Sequence, residues 1–150
     1  YVLNTDETEN KKNHQWDGEI ISLNIKLEED IASLPEEEQA EYIKELGLNE
    51  SGLSKLVKSS YKLLNLITFL TTGEVETRAW TCKAGSAAPV AAGVIHTDFE
   101  KNFIRAEVID FANFIKAGGE QSARDSGTLR TEGKDYIVKD GDVCHFLINN

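Results

Sequence analysis

The 150-residue sequence contains no methionine, two cysteines and two prolines. Two cysteines cannot form the disulfide framework of a small secreted domain, so we expect Cys82 and Cys144 to be reduced thiols in a protein core. No apolar run approaches the roughly 20 residues of a membrane-spanning helix, and the first residues do not follow the signal-peptide pattern. These absences favour a cytoplasmic protein with no membrane partner.

The missing initiator methionine indicates a processed or incomplete chain. Tyr1-Val2-Leu3 has the apolar character of a strand interior. We therefore expect the chain to be a C-terminal fragment of a longer protein.

Positive charge is scarce at the start of the chain. The sequence has 16 Lys and Arg residues against 26 Asp and Glu residues, for a formal net charge of −10. Residues 1–50 hold 14 acidic and 4 basic side chains, whereas residues 51–150 hold 12 of each. The chain as a whole is therefore not an electrostatic binder of nucleic acid, although its second part is neutral.

The first third of the sequence has the pattern of part of an α/β domain. The β-branched run Ile20–Ile25 suits a buried strand of a parallel sheet, and Tyr1–Leu3 suits another. Ser33-Leu34-Pro35-Glu36 has the form of a capping box, which predicts a helix that ends at Gly47.

An amphipathic helix is predicted from Ser51 to Asn65, because apolar residues recur there at spacings of three and four. Its opposite side carries a lysine stripe, Lys55, Lys58 and Lys62. The stripe is either a solubilising face or a phosphate contact.

The remaining residues predict a small mixed sheet crossed by one main helix, an α+β arrangement. Alternating runs predict four strands, at Ile67–Thr72, Glu76–Cys82, Phe103–Ile109 and Val143–Ile148. The main helix is predicted at Ala87–Ile95 and a shorter one at Asp110–Ala117. Asp140-Gly141 predicts a tight hairpin that joins Tyr136–Val138 to the last strand.

Several long runs carry a family resemblance. They are Arg78-Ala79-Trp80-Thr81, Ala88-Pro89, the run from Ala91 to Lys101, Phe103-Ile104-Arg105-Ala106-Glu107 and the closing run from Glu132 to Asp142. Together they resemble the C-terminal region of the Obg-like ATPases of the YchF type. The resemblance implies that residues 67–150 form a TGS domain of the β-grasp, ubiquitin-like fold. It also implies that residues 1–45 are the last strands and helix of an α/β P-loop nucleotide-binding domain, and that 46–66 is a connecting helix.

The same resemblance implies a partial nucleotide-base site. Asn4-Thr5-Asp6-Glu7 matches the family's Asn-x-x-Glu motif, so the base-binding candidates are Asn4, Thr5 and Glu7. Asn24, Ile25 and Lys26 align with the second base-contacting loop, where Ile25 replaces a small residue. Glu is longer than the Asp of GTPases, which implies a preference for ATP over GTP.

Catalysis needs parts that this sequence does not contain. Phosphoryl transfer uses a Gly-rich loop and a bridging metal ion, and the sequence has no Gly-x-x-x-x-Gly-Lys-Ser/Thr. We therefore expect ATP and Mg²⁺ to act in the intact protein, with no catalytic or metal-binding residue in this chain. We interpret His96 and Asp98 as structural or surface-recognition residues in preference to catalytic ones.

Two classes of partner stay open. TGS domains imply contact with RNA or with the large ribosomal subunit, for which the candidates are Arg78, Lys83, Lys101, Arg105 and Lys134, with Arg124 and Arg130 as further bases. The alternative is a non-catalytic β-grasp module that binds proteins through its sheet and has no nucleic-acid role. Residues 67–150 hold 12 acids and 9 bases, so RNA binding would need a local basic face.

Overall fold

A computed structural model describes residues 1–5, 16–73 and 76–149. The chain divides into two compact units, Tyr1–Leu63 and Leu64–Asn150. Each unit has its own sheet.

The first unit is built on a two-stranded parallel sheet. Its described elements are β1 (Val2–Asn4), β2 (Ile21–Leu23), α1 (Ile25–Ser33), α2 (Glu36–Glu45) and α3 (Gly52–Leu63). β1 and β2 pair in parallel from Val2↔Ile21 to Asn4↔Leu23. The predicted parallel pairing is therefore confirmed, and so is the predicted amphipathic helix, with α3 two residues shorter at its C-terminal end than expected.

Two predictions in this unit are wrong. The β-branched run does not continue to Ile25, because the Asn24 side chain accepts a hydrogen bond from the Leu27 N–H and starts α1 there. Ser33 is not a helix N-cap. It is the last residue of α1, and its hydroxyl donates to the Asp30 carbonyl at 2.7 Å. α2 instead begins after Pro35 without a side-chain cap.

The second unit is a mixed sheet with helices. Its described strands are β3 (Leu66–Thr72), β4 (Thr77–Lys83), β5 (Phe103–Asp110), β6 (Arg130–Glu132) and β7 (Asp142–Ile148). Its described helices are α4 (Ala88–Ile95), α5 (Thr97–Lys101), α6 (Phe111–Ala117) and α7 (Glu120–Asp125). The strand order is β4-β3-β7-β5-β6, with β3 and β7 parallel and the other neighbours antiparallel. The predicted mixed sheet is confirmed.

Two apolar clusters hold this unit together. The larger one joins α4 to β3, β5 and β7 and includes the fully buried side chains of Phe69, Ala92 and Val108. The smaller one is formed by Ile109, Val143 and Ala123, with partly buried apolar residues of α6 around it. Cys82 and Cys144 are free and buried, as predicted.

The predicted hairpin at Asp140-Gly141 is wrong. Tyr136–Val138 forms no strand, and Ile137 makes only an isolated bridge to Ala87. The turn leads instead into the central strand β7. The Asp140 carboxylate accepts a hydrogen bond from the Thr68 N–H at 2.8 Å, which holds the turn against β3. β7 then pairs with β3 and β5.

Candidate functional site

The carboxyl ends of β1 and β2 bring five of the six predicted base-binding residues to one edge of the first sheet. Asn4 is the last residue of β1 and Thr5 follows it, while Asn24, Ile25 and Lys26 follow β2 and begin α1. The carboxyl ends of parallel strands are where ligands bind in open α/β sheets. The sixth residue, Glu7, lies outside the described residues.

Direct hydrogen bonds join the two loops. The Ile25 N–H donates to the Asn4 Oδ1 at 3.3 Å, and the Thr5 N–H donates to the Leu23 carbonyl at 2.7 Å. The Asn24 Oδ1 accepts from the Leu27 N–H at 3.1 Å and so fixes the start of α1. Asn4 is therefore held by its acceptor atom, and among the described residues nothing else bonds to its two amide N–H donors or to the second Oδ1 lone pair.

An apolar side chain stands beside this amide. Ile25 is 59% exposed, although it belongs to the first turn of α1. A purine offers a flat apolar face as well as polar edges. Asn4 and Ile25 thus combine an amide with an apolar surface at one sheet edge.

Glu28 fixes the helix that carries this edge. Its carboxylate accepts from the Gly52 N–H at 2.7 Å and from the Leu53 N–H at 3.1 Å, so it caps the start of α3 from 24 residues away. A Cβ at Gly52 would collide with the end of the Leu23 side chain, which would then have to shift. These contacts tie α1, β2 and α3 together. Local patterns could not reveal them.

The five predicted nucleic-acid contacts are spread over the second unit. Arg78 lies over the Trp80 ring, 4.2 Å from its centroid, and Lys83 ends β4. Lys101 ends α5 and Arg105 lies in β5, while Lys134 follows β6.

The sheet register separates Lys83 from Arg105. Lys83 is opposite Leu66 at the start of β3, whereas Arg105 is opposite Leu147 near the end of β7. Because β7 runs parallel to β3, with Leu70 opposite Val143, the two bases are about eight residues apart along the strands, or roughly 26 Å. They therefore do not form a single basic patch.

Arg124 and Arg130 are engaged within the unit. Arg124 donates to both oxygens of Glu107, at 2.9 and 2.6 Å, and to Glu120 at 3.1 Å. Arg130 lies 3.7 Å from the Glu132 carboxylate and donates to the Tyr136 hydroxyl. These contacts make both arginines poor candidates for an RNA contact.

The Arg124 bond gives the second unit a pH dependence. Arg124 holds the pKa of the buried Glu107 below its usual 4.5. Because the folded-state pKa is lowered, the stabilisation is present above pH 4.5 and is lost as the pH falls through the lowered value. We expect Arg124→Met to lower the urea midpoint of this unit at pH 7. Below pH 4.5 the midpoint of the variant should fall less steeply with pH than that of the parent chain.

Urea unfolding at pH 7, 5, 4 and 3 measures this effect. Trp80 emission in a Trp16→Phe background is the signal. Lys116→Met, at an exposed cation of α6, is the matched control. Parallel pH profiles for Arg124→Met and the parent chain would contradict the assignment.

His96 is a structural residue in this arrangement. Its Nδ1 accepts from the Asp98 N–H at 3.2 Å and caps α5, and its ring lies 3.5 Å from the Asp98 carboxylate. Both side chains are exposed. This geometry accounts for the His-Thr-Asp run through helix capping.

Residues 66–149 match the family model YchF-GTPase_C, which is described as a protein of unknown function (DUF933). The chain belongs to this YchF family. It is 55% identical over 130 residues to the ribosome-binding ATPase YchF of Escherichia coli O157:H7, and 50% identical over 131 residues to that of Bacillus subtilis. Both alignments cover 87% of this chain and 36% of the relative. The chain thus spans little more than a third of the length of the curated relatives it matches.

A solved YchF structure supports the same fold. The chain is similar to the YchF GTPase of Schizosaccharomyces pombe, with a TM-score of 0.75 and 39% identity over 85% of this chain and 34% of that one. A GTP-binding protein from Pyrococcus horikoshii OT3 shares the fold at a TM-score of 0.57 and 18% identity. The family resemblance predicted from the sequence is confirmed.

The helices of this YchF-family chain are short. Within the part of the chain that the structure describes, none combines the length and apolarity needed to cross a membrane.

Proposed function

We propose that this chain is the C-terminal part of a ribosome-associated, Obg-like ATPase of the YchF type, and that its first unit supplies the purine-base end of the nucleotide site. The observation that carries the proposal is the hydrogen bond from the Ile25 N–H to the Asn4 Oδ1. It joins the two segments that the family motif assigns to base contact. In this proposal residues 1–45 belong to the nucleotide domain and residues 67–150 form the TGS domain. Residues 46–66 form the helix that connects the two.

The chemistry of Asn4 suits an adenine. Its amide N–H can donate to the purine N7, and the remaining lone pair on Oδ1 can accept from the exocyclic amine. Glu7 stands where GTPases have the shorter Asp, so its carboxylate fits the two N–H donors on the guanine edge less well. ATP is therefore the proposed nucleotide, and GTP is a weaker alternative. Ile25 would contact the base face.

The phosphates and Mg²⁺ belong to a part of the longer protein that this sequence does not contain. Phosphoryl transfer requires a phosphate-binding loop and a metal ion that bridges phosphate oxygens. The chain itself would bind and orient the base only. Base contacts without a phosphate site give little affinity.

We expect the purified 150-residue chain to hydrolyse no ATP. A chimera that joins it to the N-terminal part of the 55% identical Escherichia coli O157:H7 relative should hydrolyse ATP in the presence of Mg²⁺. A coupled phosphate-release assay measures both proteins side by side. Turnover by the isolated chain, or an inactive but folded chimera, would sink the proposal.

The second unit is proposed to be a TGS domain of the β-grasp type that contacts the large ribosomal subunit or RNA. Support comes from the mixed five-stranded sheet with α4 packed on it and from the relatives named ribosome-binding ATPases. Lys101 and Arg105 are the proposed contacts, because both are exposed and both lie near the start of β5. Such a protein would work in the cytoplasm.

The competing function is a protein-interaction module without a nucleic-acid role. One observation favours it: β4 is a seven-residue strand at one edge of the five-stranded sheet. Salt separates the two functions, since phosphate contacts weaken steeply as salt rises and a protein interface responds less.

A further inference from the structure

Three side chains that can bind a metal ion meet on one face of the second unit's sheet. Glu107 of β5 and His145 of β7 are direct partners in the antiparallel ladder, so their side chains leave the same face. Glu120, the first residue of α7, adds a carboxylate, whose Oε1 lies 3.5 Å from the His145 Nδ1. One ligand atom of each side chain lies within 4.8 Å of the other two. Among the described residues, no other three acidic, His or Cys side chains come together in this way.

The packing of α7 on the sheet holds this trio in place. Each strand carries an apolar residue two positions away on the same face, Ile109 beside Glu107 and Val143 beside His145. Both apolar residues form one buried cluster with Ala123 of α7, which is fully buried. The trio is therefore built on the core of the unit.

A cation already bridges the two carboxylates. Arg124 donates to both oxygens of Glu107 and to the Oε1 of Glu120, and its side chain is 45% exposed. The two carboxylates carry two negative charges against one positive charge on the guanidinium, whereas a divalent ion would neutralise both. Because Arg124 reaches the carboxylates from the solvent side, its side chain can turn outward when such an ion binds.

The donor atoms of the trio select the kind of metal. Zn²⁺ takes imidazole and carboxylate ligands in a four-coordinate site, whereas Mg²⁺ requires an octahedron of oxygens. Glu107 is buried, Glu120 is half-buried and His145 is exposed, so the trio is accessible from the His145 side. A cavity of about 10 Å³ borders the same three side chains. That is the space of about one water molecule, which is the usual fourth ligand where a protein supplies three.

We propose that Glu107, Glu120 and His145 bind a zinc ion, which takes the place of the Arg124 guanidinium between the carboxylates. The ion would fasten α7 to β5 and β7. The expectation that this chain holds no metal-binding residue rests on local sequence spacing, which cannot show that three separate elements meet. The inference does not depend on the intact protein being a ribosome-associated ATPase.

The test titrates Zn²⁺ into the full 150-residue chain at pH 7 in competition with a chromophoric zinc indicator, and then repeats the titration with Mg²⁺. We expect one zinc ion per chain, bound at least about 10-fold more tightly than Mg²⁺. His145→Asn should weaken zinc binding by at least about 10-fold, because even residues that only orient metal ligands are worth 10- to 100-fold in affinity.

His96→Asn is the matched control for His145→Asn. His96 is also exposed and lies 3.5 Å from a carboxylate, that of Asp98, but it belongs to no such trio. Asn keeps an acceptor for the start of α5. This variant should bind zinc like the parent chain.

Arg124→Met gives an independent readout, because it removes the competing cation and keeps all three ligands. Zinc should bind this variant about 10-fold or more tightly than the parent chain. Saturating zinc should also raise the urea midpoint of the variant, followed by Trp80 emission, and should lose this effect when His145→Asn is added. Unchanged Trp80 emission before the titration confirms that the variants fold.

Four results would overturn the proposal. They are no zinc binding by the parent chain, equal zinc affinity in His145→Asn and His96→Asn, Mg²⁺ binding as tight as that of Zn²⁺, and no tighter binding in Arg124→Met. The third would assign the trio to an ordinary acidic surface, and the fourth would leave Arg124 as its permanent partner.

Discussion

Replacing Phe69 with alanine is expected to lower the free energy of unfolding of the second unit by about 3–5 kcal/mol. Phe69 is fully buried in the middle of β3 and meets the Phe146 ring edge to face, with centroids 5.8 Å apart. The substitution removes an aromatic side chain from the larger cluster, where the backbone of β3 is held by strands on both sides. The cavity therefore cannot close by a small shift.

The two tryptophans make this effect measurable by unit. Trp16 lies in the first unit and Trp80 in the second, so a Trp16→Phe background reports on the second unit alone. Ile115→Ala, at a 60% exposed position of α6, is the matched control and should change stability by no more than about 0.5 kcal/mol. A loss below about 1 kcal/mol for Phe69→Ala would show that β3 is not the centre of this core.

Asn4→Ala is expected to weaken ATP binding by roughly 5- to 150-fold, because a well-placed amide contact to a purine is worth about 1–3 kcal/mol. The variant also frees the Ile25 N–H, so the two loops proposed to contact the base lose one of the hydrogen bonds that join them. Both effects weaken the contacts proposed for the base and leave the phosphate site unchanged.

The chimera with the Escherichia coli relative provides the phosphate site for this measurement. Isothermal titration with ATP and with GTP should show a larger loss for ATP in Asn4→Ala. Glu37→Ala, at an exposed acid of α2, should bind like the parent chimera. Equal ATP affinity in Asn4→Ala and Glu37→Ala would remove Asn4 from the site.

Elements with a long periodic pattern were predictable, and short or capped ones were not. α3 and the strands β3, β4, β5 and β7 each carry seven or more residues of clear pattern. α1 was hidden because its β-branched start looks like a strand, and only the Asn24 cap decides otherwise. β6, with three residues, and α7, with six, are too short to show a period.

Contacts between distant segments limited the prediction of the site. The meeting of Asn4 with Ile25 could be expected from parallel strands that end together. The capping of α3 by Glu28 could not, because it depends on how the helices pack. Nor could composition show that Lys83 and Arg105 lie at opposite ends of the sheet, since that depends on the register of β3 with β7.

We propose that the second unit contacts the ribosome, and cosedimentation of the 150-residue chain with large ribosomal subunits tests this contact most directly. We expect the chain to pellet with the subunits at 50 mM salt and to lose about 10-fold or more in affinity by 200 mM, as phosphate contacts require. Lys101→Glu with Arg105→Glu should weaken binding at 50 mM more than Lys83→Glu, which changes the opposite end of the sheet. A chain that stays in the supernatant at 50 mM salt would contradict the account.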